Sequence, residues 1–556
     1  MICIYFLGIS AGMHDPAVAL VKDNKIVAFV EEERFNRIKH SKGFFPHRSL
    51  EWVLKKEGIK ISDIDKIGFY LNPSFSNMVL KKTFNLLKSP IEFGAAIRWK
   101  NRIKKIPISG LKYYFKYKTS NIEYINHHLC HSASTFLLSG FKKSNILTID
   151  GVGEIETTTM RFGDRNKIEM LQSVYDPNSL GYVYSCVTEF LGFESNEGEG
   201  KVMGLAPYGN KYYKIFDNFI KIKGETFEVN PKLFLLDGTS VTYTDYLTNK
   251  LGEPRISSEP IEKKHMDIAF SLQERLEQVV LHLVENLIET TGNKNLCLAG
   301  GVALNCKMNG RILESGLIDD IFIQPAAGDA GCALGAALWL AHNEGFKFKK
   351  MEHIYYGPEY SDEEVKKVLD TAHIKYEEIS DPSGTAAELL SQGKIVGWFQ
   401  GRMEAGPRAL GNRSILADPR DPGIKDKLNY LVKHREPFRP FCPSLLDKAK
   451  KEYFENPYES PFMILSFKVK EEKRKEIPGV VHVDGTVRPQ TVTKKTNHKY
   501  YKLIEEFEKL TGVPVVLNTS FNIKGEPMVC TPAQALADFY STGMDALIIN
   551  NFLITK

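Results

Sequence analysis

Two stretches are built to one plan: NLCLAGGVALN at 295–305 and IFIQPAAGDAGCALGAALWLA at 321–341. Each runs an apolar strand into a turn of glycine and small or acidic residues, then into a helix. NILTIDGVGE at 145–154 takes a third apolar strand into the same kind of turn, and LGISAGMHDP at 7–16 a fourth. Apolar runs that give way to glycine and then to helical periodicity predict an α/β fold with its turns at strand ends. Glycine lets backbone N–H groups close on phosphate oxygens, and a helix N-terminus adds a favourable dipole. One such turn is weak evidence. The four at 8–12, 150–153, 299–301 and 328–331, each at a strand end, predict a nucleotide cleft between two halves of a duplicated fold.

The remaining elements alternate in the same way. CIYFLGIS and AVALVKDNKIVAFVEEE read as strands, 47–57 as a helix, DKIGFYL and IEYI as strands, and HHLCHSASTFLLSG as a helix. ETTTMRFG is a further strand, and 266–291 a long amphipathic helix. At 556 residues the chain is too long for one core. PEYSDEEVKKVLD reads as a linker helix, and a second α/β unit begins with KIVGWFQGRMEAGPRALGNRS. The expected organisation is therefore a first domain over 1–352, a linker over 353–382 and a second domain over 383–556. Lysines and arginines crowd 78–118 among aromatics, which reads first as a solvated helical insertion and second as a surface for a membrane face or a polyanion.

A net charge of +5 is too mild to call for nucleic acid. The 8 cysteines form no CxxC pair and read as reduced thiols of a cytoplasmic protein. No uncharged apolar run reaches 18 residues, so no transmembrane segment is expected. MICIYFLGIS lacks a basic leader and reads as a first strand.

The chemistry-bearing residues gather at the same strand ends. His127 and His131 stand four apart, on one face of the expected helix, where two imidazoles can reach one ion. Asp150 ends the strand NILTID, and Asp329 sits in the AAGDAG turn. Two histidines and two aspartates suit Fe(II), Mn(II) or Zn(II). Taken singly, the histidines read more readily as interior imidazoles and each aspartate as a turn or cap residue. His128 points elsewhere, and Cys130 faces a different helical direction.

Ten motifs together carry a resemblance. They are GISAGMHDPAVALV, EEERFNRIKH, HHLCH, TIDGVGE, GEGKVMGLAPYG, LAGGVALNCKMNG, PAAGDAG, GPRALGNRSILADPR, KHREPFRPF and LNTSFN. In this order they resemble the O-carbamoyltransferases that modify nodulation factors, cephamycin and tobramycin. The likeness covers nearly the whole chain and is weakest over 60–120 and 210–260. It implies a duplicated ASKHA-type (actin- and sugar-kinase-like) N-terminal domain and a YrdC-like α/β C-terminal domain. It implies that the second domain makes carbamoyl-adenylate from carbamoyl phosphate and ATP. The first would then transfer the carbamoyl group to a hydroxyl of a sugar or secondary metabolite.

The resemblance also implies roles. His127, His131, Asp150 and Asp329 match metal ligands, with Fe(II) the expected ion and Mg(II) accompanying ATP. Gly12, Gly151, Gly153, Gly300, Gly301 and Asn305 fall where the first domain binds nucleotide. Arg408, Lys433, Arg439, Arg488, Ser520 and Asn522 fall where carbamoyl phosphate and the adenylate bind. His14, in the first glycine hairpin, is expected to act as a neutral imidazole that takes the acceptor proton. Arg34 and Lys39 are expected to touch acceptor or phosphate. The partners are small-molecule substrates, with a homodimer left open. The competing readings are an ASKHA-type sugar kinase and a non-catalytic nucleotide-binding scaffold.

Overall fold

The computed structural model describes residues 3–72, 122–165, 167–237 and 240–556. The basic stretch 78–118 lies outside them. The chain divides into two units. The first is Met1–Glu32 with His40–Met351, and the second is Glu33–Lys39 with Glu352–Lys556.

The first unit is built on two five-stranded sheets. In one, β1 (Tyr5–Ser10) pairs antiparallel with β2 (Ala17–Lys22), and β2 with β3 (Lys25–Glu31). On its other edge β1 runs parallel to β4 (Lys66–Phe69), and β4 to β5 (Ile122–Tyr124). The second sheet repeats this order and sense. β6 (Lys143–Ile149) pairs antiparallel with β7 (Glu156–Asp164), and β7 with β8 (Lys167–Tyr175). Two short hairpins follow, β9 (Ile220–Lys223) with β10 (Thr226–Val229) and β11 (Phe234–Asp237) with β12 (Ser240–Tyr243). Then β13 (Asn295–Ala299) runs parallel to β6, and β14 (Asp320–Ile323) parallel to β13. Strands such as β1 and β6 are buried along almost their whole length, which is why they read as continuous apolar runs.

Helices fill the space beside these sheets. His127–Ser139 follows β5, and Asp329–Asn343 follows β14. The second is rich in alanine and glycine because it is crowded on two sides. A Cβ on Gly335 would stand 1.9 Å from the Cys130 carbonyl oxygen, and one on Gly8 would stand 1.8 Å from that of Ala333. The long helix spans Lys263–Thr291, starting three residues before the sequence-based bound. It buries Ile268, Leu272, Leu276, Val279, Leu283 and Leu287 at helical spacing. No helix among the described residues is long and apolar enough to cross a membrane.

The second unit has a mixed eight-stranded sheet. Its strands are β15 (Glu377–Glu378), β16 (Val396–Phe399), β17 (Arg413–Ala417), β18 (Cys442–Leu446), β21 (Gln490–Val492), β22 (Val515–Ser520), β23 (Ala546–Ile549) and β24 (Phe552–Thr555). The order is β15-β24-β23-β16-β17-β22-β18-β21. β19 (Phe467–Lys468) and β20 (Thr486–Val487) form a separate pair. Helices Pro382–Ser391 and His498–Thr511 close a core of Trp398, Leu416, Tyr500, Phe507, Val516 and Ile548.

Residues 353–382 are not the linker expected from sequence. Helix Asp362–Thr371 buries Val365 and Leu369, β15 extends the sheet through β24, and Asn551 donates to Asp362. The acidic surface of that helix gave it the look of a connector. The second unit also takes in Glu33–Lys39. Phe35 packs on Met403, Ala409, Met528 and Cys530, and Arg37 donates to the carbonyls of Pro527 and Met528.

Candidate metal centre and cation cluster

In the first unit the His127–Ser139 helix opens on Asn126, whose side chain accepts from the Leu129 N–H. This cap fixes the first turn, and the i, i+4 spacing then stacks His127 and His131 on one face. Both are fully buried. Their Nε2 atoms lie 3.1 Å apart. Asp150 Oδ2, from the end of β6, lies 2.9 Å from His131 Nε2 and 3.3 Å from His127 Nε2. Asp329 Oδ1, from the first turn of its helix, lies 3.8 Å from His127 Nε2. One ligand atom from each of the four falls within 4.8 Å of all the others. The structure thus brings together the four residues expected to ligate metal.

The donor set fits a divalent cation. Two imidazole nitrogens facing each other at this distance cannot both carry a proton, and both Nδ1 atoms are buried without a hydrogen-bond partner. Burial, and then the nearby Asp150, push the Asp329 carboxyl up to about 7 despite His127. A cation among these groups would hold both carboxylates ionised. Cys332 Sγ also lies within 4.8 Å of a ring nitrogen of His127 and of His131. Sequence reading passed it over because it sits one turn beyond Asp329 in an alanine-rich run.

The residues around the set hold it in place. Glu154 is buried at the head of the helix and accepts from the backbone N–H groups of His127 and Asn72 and from the Asn126 amide. Burial and the neighbouring Glu156 push its carboxyl up to about 8. His128 does turn away: its Nε2 donates to the Glu156 carbonyl and its Nδ1 accepts from Thr148. The expected nucleotide glycines line the same strand ends. Gly300 is left-handed with φ 93°, and a Cβ there would stand 2.2 Å from the Ile149 carbonyl oxygen. A Cβ on Gly301 would stand 3.1 Å from Asp150 Oδ1, and one on Gly153 2.9 Å from the His127 Cβ. The Gly151 N–H donates to Asp150, and the Gly12 N–H to the Phe44 carbonyl. Asn305 caps helix Cys306–Glu314, and its amide is bonded to Gln273 in both directions.

His14 stands between two acceptors. Its Nδ1 lies 2.7 Å from Asp15 Oδ2, and its Nε2 lies 3.2 Å from the Asn196 carbonyl oxygen. Burial works to depress the imidazolium, but the charge and hydrogen bond of Asp15 outweigh it and push the ring up to about 9. With an acceptor at each ring nitrogen, this arrangement differs from the neutral imidazole expected from sequence. In this conformation the surroundings suit a ring protonated at both nitrogens.

In the second unit, burial gathers cations. Lys433 is buried, and its Nζ donates to the Ser520 and Asn522 carbonyls and to the Asn522 side chain at 2.8 Å. Burial, with Arg435 and Arg439 beside it, holds this amine well below the usual lysine range. Arg435, which sequence reading missed, lies over the Phe441 ring. Burial and the positive charges of Arg439 and Arg488 push it down to about 9. Arg488 donates to Cys442 Sγ, and Arg439 pairs with Glu436 at 3.6 Å. Lys433, Arg439, Arg488, Ser520 and Asn522 thus meet, with Arg435 added. Arg408 is half-buried on the 406–410 loop. Arg34 is buried, pairs with Glu33 and donates to the Gly406 carbonyl, so it anchors that loop. Lys39 is half-buried at the end of the same inserted segment.

Like charges in a half-buried site cost free energy until an anion arrives. The cluster in the second unit therefore suits anionic oxygens, and the four donors of the first unit suit a cation. A family model described as Carbamoyltransferase N-terminus matches residues 5–338, and one described as Carbamoyltransferase C-terminus matches residues 387–556. Nodulation protein NolNO of Sinorhizobium fredii is 41% identical over 560 residues, 98% of this chain and 79% of that protein. An uncharacterized protein of Synechocystis is 41% identical over 596 residues, 99% of this chain and 97% of that protein. Among solved structures, full-length HypF in its phosphate- and nucleotide-bound form is 12% identical over 61% of this chain and 56% of that one. Its TM-score of 0.32 is too low to argue from. Matched from one end to the other, the chain belongs to the carbamoyltransferase family and is a carbamoyltransferase.

Proposed function

We propose that this carbamoyltransferase is ATP-dependent and works in two stages, one in each unit. In the second unit, water cleaves carbamoyl phosphate to carbamate and phosphate. A carbamate oxygen then attacks the α-phosphorus of ATP, and pyrophosphate leaves. The product is carbamoyl-adenylate, in which AMP is the leaving group. In the first unit an acceptor hydroxyl attacks the carbamoyl carbon and AMP departs. The acceptor is a hydroxyl of a sugar or secondary metabolite.

The observation that carries this reading is the cation cluster of Lys433, Arg435, Arg439 and Arg488. It suits a step that assembles several phosphoryl groups, because fixed donors stabilise the charge without reorganising. Ser520 and Asn522 hold Lys433 in register for that task. The repeated strand order of the first unit supports an ASKHA-type domain, and the second unit is the YrdC-like partner in this reading. His127, His131, Asp150 and Asp329 would hold Fe(II). Bound there, the ion supplies a Lewis acid that polarises an oxygen of the reacting group. His14 offers a charged N–H at Nε2 to oxygen that gains negative charge, once the Asn196 carbonyl gives way. Seven of the 8 cysteines are buried and all are free, which suits reducing cytoplasm.

The test is pyrophosphate release from ATP with and without carbamoyl phosphate, on protein purified without oxygen. Pyrophosphate that requires carbamoyl phosphate is the expected result. ADP as the product, or pyrophosphate that ignores carbamoyl phosphate, overturns the reading.

A further inference from the structure

The first unit holds a second cluster, His14, Asp15 and His40, whose ligand-type atoms also lie within 4.8 Å of one another. The Asp15 carboxylate takes one imidazole on each oxygen. His14 Nδ1 lies 2.7 Å from Oδ2, and His40 Nδ1 lies 2.8 Å from Oδ1. The two rings face each other with centroids 4.5 Å apart.

The backbone is bent to make this contact. Asp15, His40 and Ser41 all lie in the left-handed region, with φ of 45°, 59° and 38°. The Asp15 N–H donates to the His40 carbonyl at 3.1 Å. Non-glycine residues adopt that region at a cost of roughly 1–3 kcal/mol each, and such outliers cluster where a side chain must be aimed. Three of them across one pair of segments fix where the Asp15 carboxylate points.

We propose that Asp15 is the positioning residue for carbamoyl transfer, gripping His14 by Nδ1 and His40 from its other oxygen so that Nε2 alone of His14 meets a reacting group. This rests on the reading that His14 takes part in transfer. The groups that face His14 are Asp15, Asp329, Lys42 and the His40 ring. Of these, Asp15 is the one hydrogen-bonded to it, and its charge favours the protonated ring. His40 shares the carboxylate and so tempers its hold on His14.

The experiment uses full-length protein labelled with 13C at histidine Cε1, with His14→Gln assigning the resonance. In wild type that resonance is expected to titrate near 9. Asp15→Asn should move the midpoint down by at least about one unit, Asp15→Glu should restore it, and His40→Gln should move it up. AMP release with water as acceptor should fall about 100-fold in Asp15→Asn and recover in Asp15→Glu. The first-turnover burst of pyrophosphate, which precedes transfer, should keep its wild-type rate. If Asp15→Asn does not fold, His40→Gln still decides, because an unmoved midpoint there overturns the shared grip. An unmoved midpoint in folded Asp15→Asn overturns the proposal outright. Wild-type protein that makes no pyrophosphate refutes the adenylate reading instead, and the titration still tests Asp15.

Discussion

Gly335→Ala tests whether the metal donors depend on one helix crossing. The new Cβ would stand 1.9 Å from the Cys130 carbonyl oxygen, where ordinary contact begins at 3.4 Å. Cys130 lies between His127 and His131, and Gly335 lies six residues after Asp329 on the facing helix. Neither backbone can rotate away, so the helices must part by something over 1 Å, at a cost of about 3 kcal/mol or more. That displacement carries Asp329 away from the imidazoles. Metal sites tolerate only ~0.2 Å of error in donor distance, so affinity should fall along with stability. Thermal unfolding with and without added Co(II), under anaerobic conditions, reads both effects. Wild type should melt higher with metal, whereas the variant should melt lower and gain little from it. Gly200→Ala is the stability control, since a Cβ there meets nothing within 4 Å. A Gly335→Ala protein that matches wild type in both melts would refute the argument.

Four further outcomes follow from the same geometry. Saturating a single metal site at 100 times its dissociation constant should stabilise wild type by about 2.7 kcal/mol and His131→Ala not at all, read by urea unfolding. Arg488→Ala should raise the KM for carbamoyl phosphate by roughly 10- to 100-fold in the pyrophosphate assay, the worth of one charge-assisted hydrogen bond; an unchanged KM removes it from the anion site. Glu154→Ala removes an acceptor shared by three donors, the buried His127 N–H among them, and should cost about 1–3 kcal/mol, measured in denaturant; a neutral change would show that water replaces the carboxylate. The His14–Asp15 pair sets a pH dependence. Its folded value, about 9, lies above the ordinary 6.5, so its stabilisation is complete below 6.5 and is lost as pH rises through about 9. The stability gap between wild type and Asp15→Asn should therefore shrink on the alkaline side, and a constant gap would contradict the assignment.

Much of the first unit was legible because its strands and helices are long and each turn is marked by glycine. The four candidate metal donors, which the structure brings within 4.8 Å of one another, were suggested by their places at strand ends and on one helix face together with the family resemblance. Asp15 and His40 were not. Their partnership joins a turn to a residue 25 positions away, through left-handed backbone that no apolar periodicity reports. Arg435 was passed over for another reason: it looked like one of several basic residues in KHREPFRPF until burial set it against Arg439 and Arg488. The misread stretch 353–382 shows the limit of surface composition. Its helix offers acidic residues to solvent and only two buried apolar ones to the unit it belongs to.

The segment Glu33–Lys39 has a consequence for how the chain comes into being. It leaves the ribosome long before the residues that make its seat. Arg37 waits for the Met528 carbonyl, 491 residues downstream. Arg34 waits for Gly406, 372 residues on. The second unit therefore cannot close while synthesis is under way, however early the first has settled. Nor does a fragment cut at residue 352 contain everything that unit needs, because Phe35 and the two arginines would be missing from it. A segment made early is thus completed only by residues made hundreds of positions later.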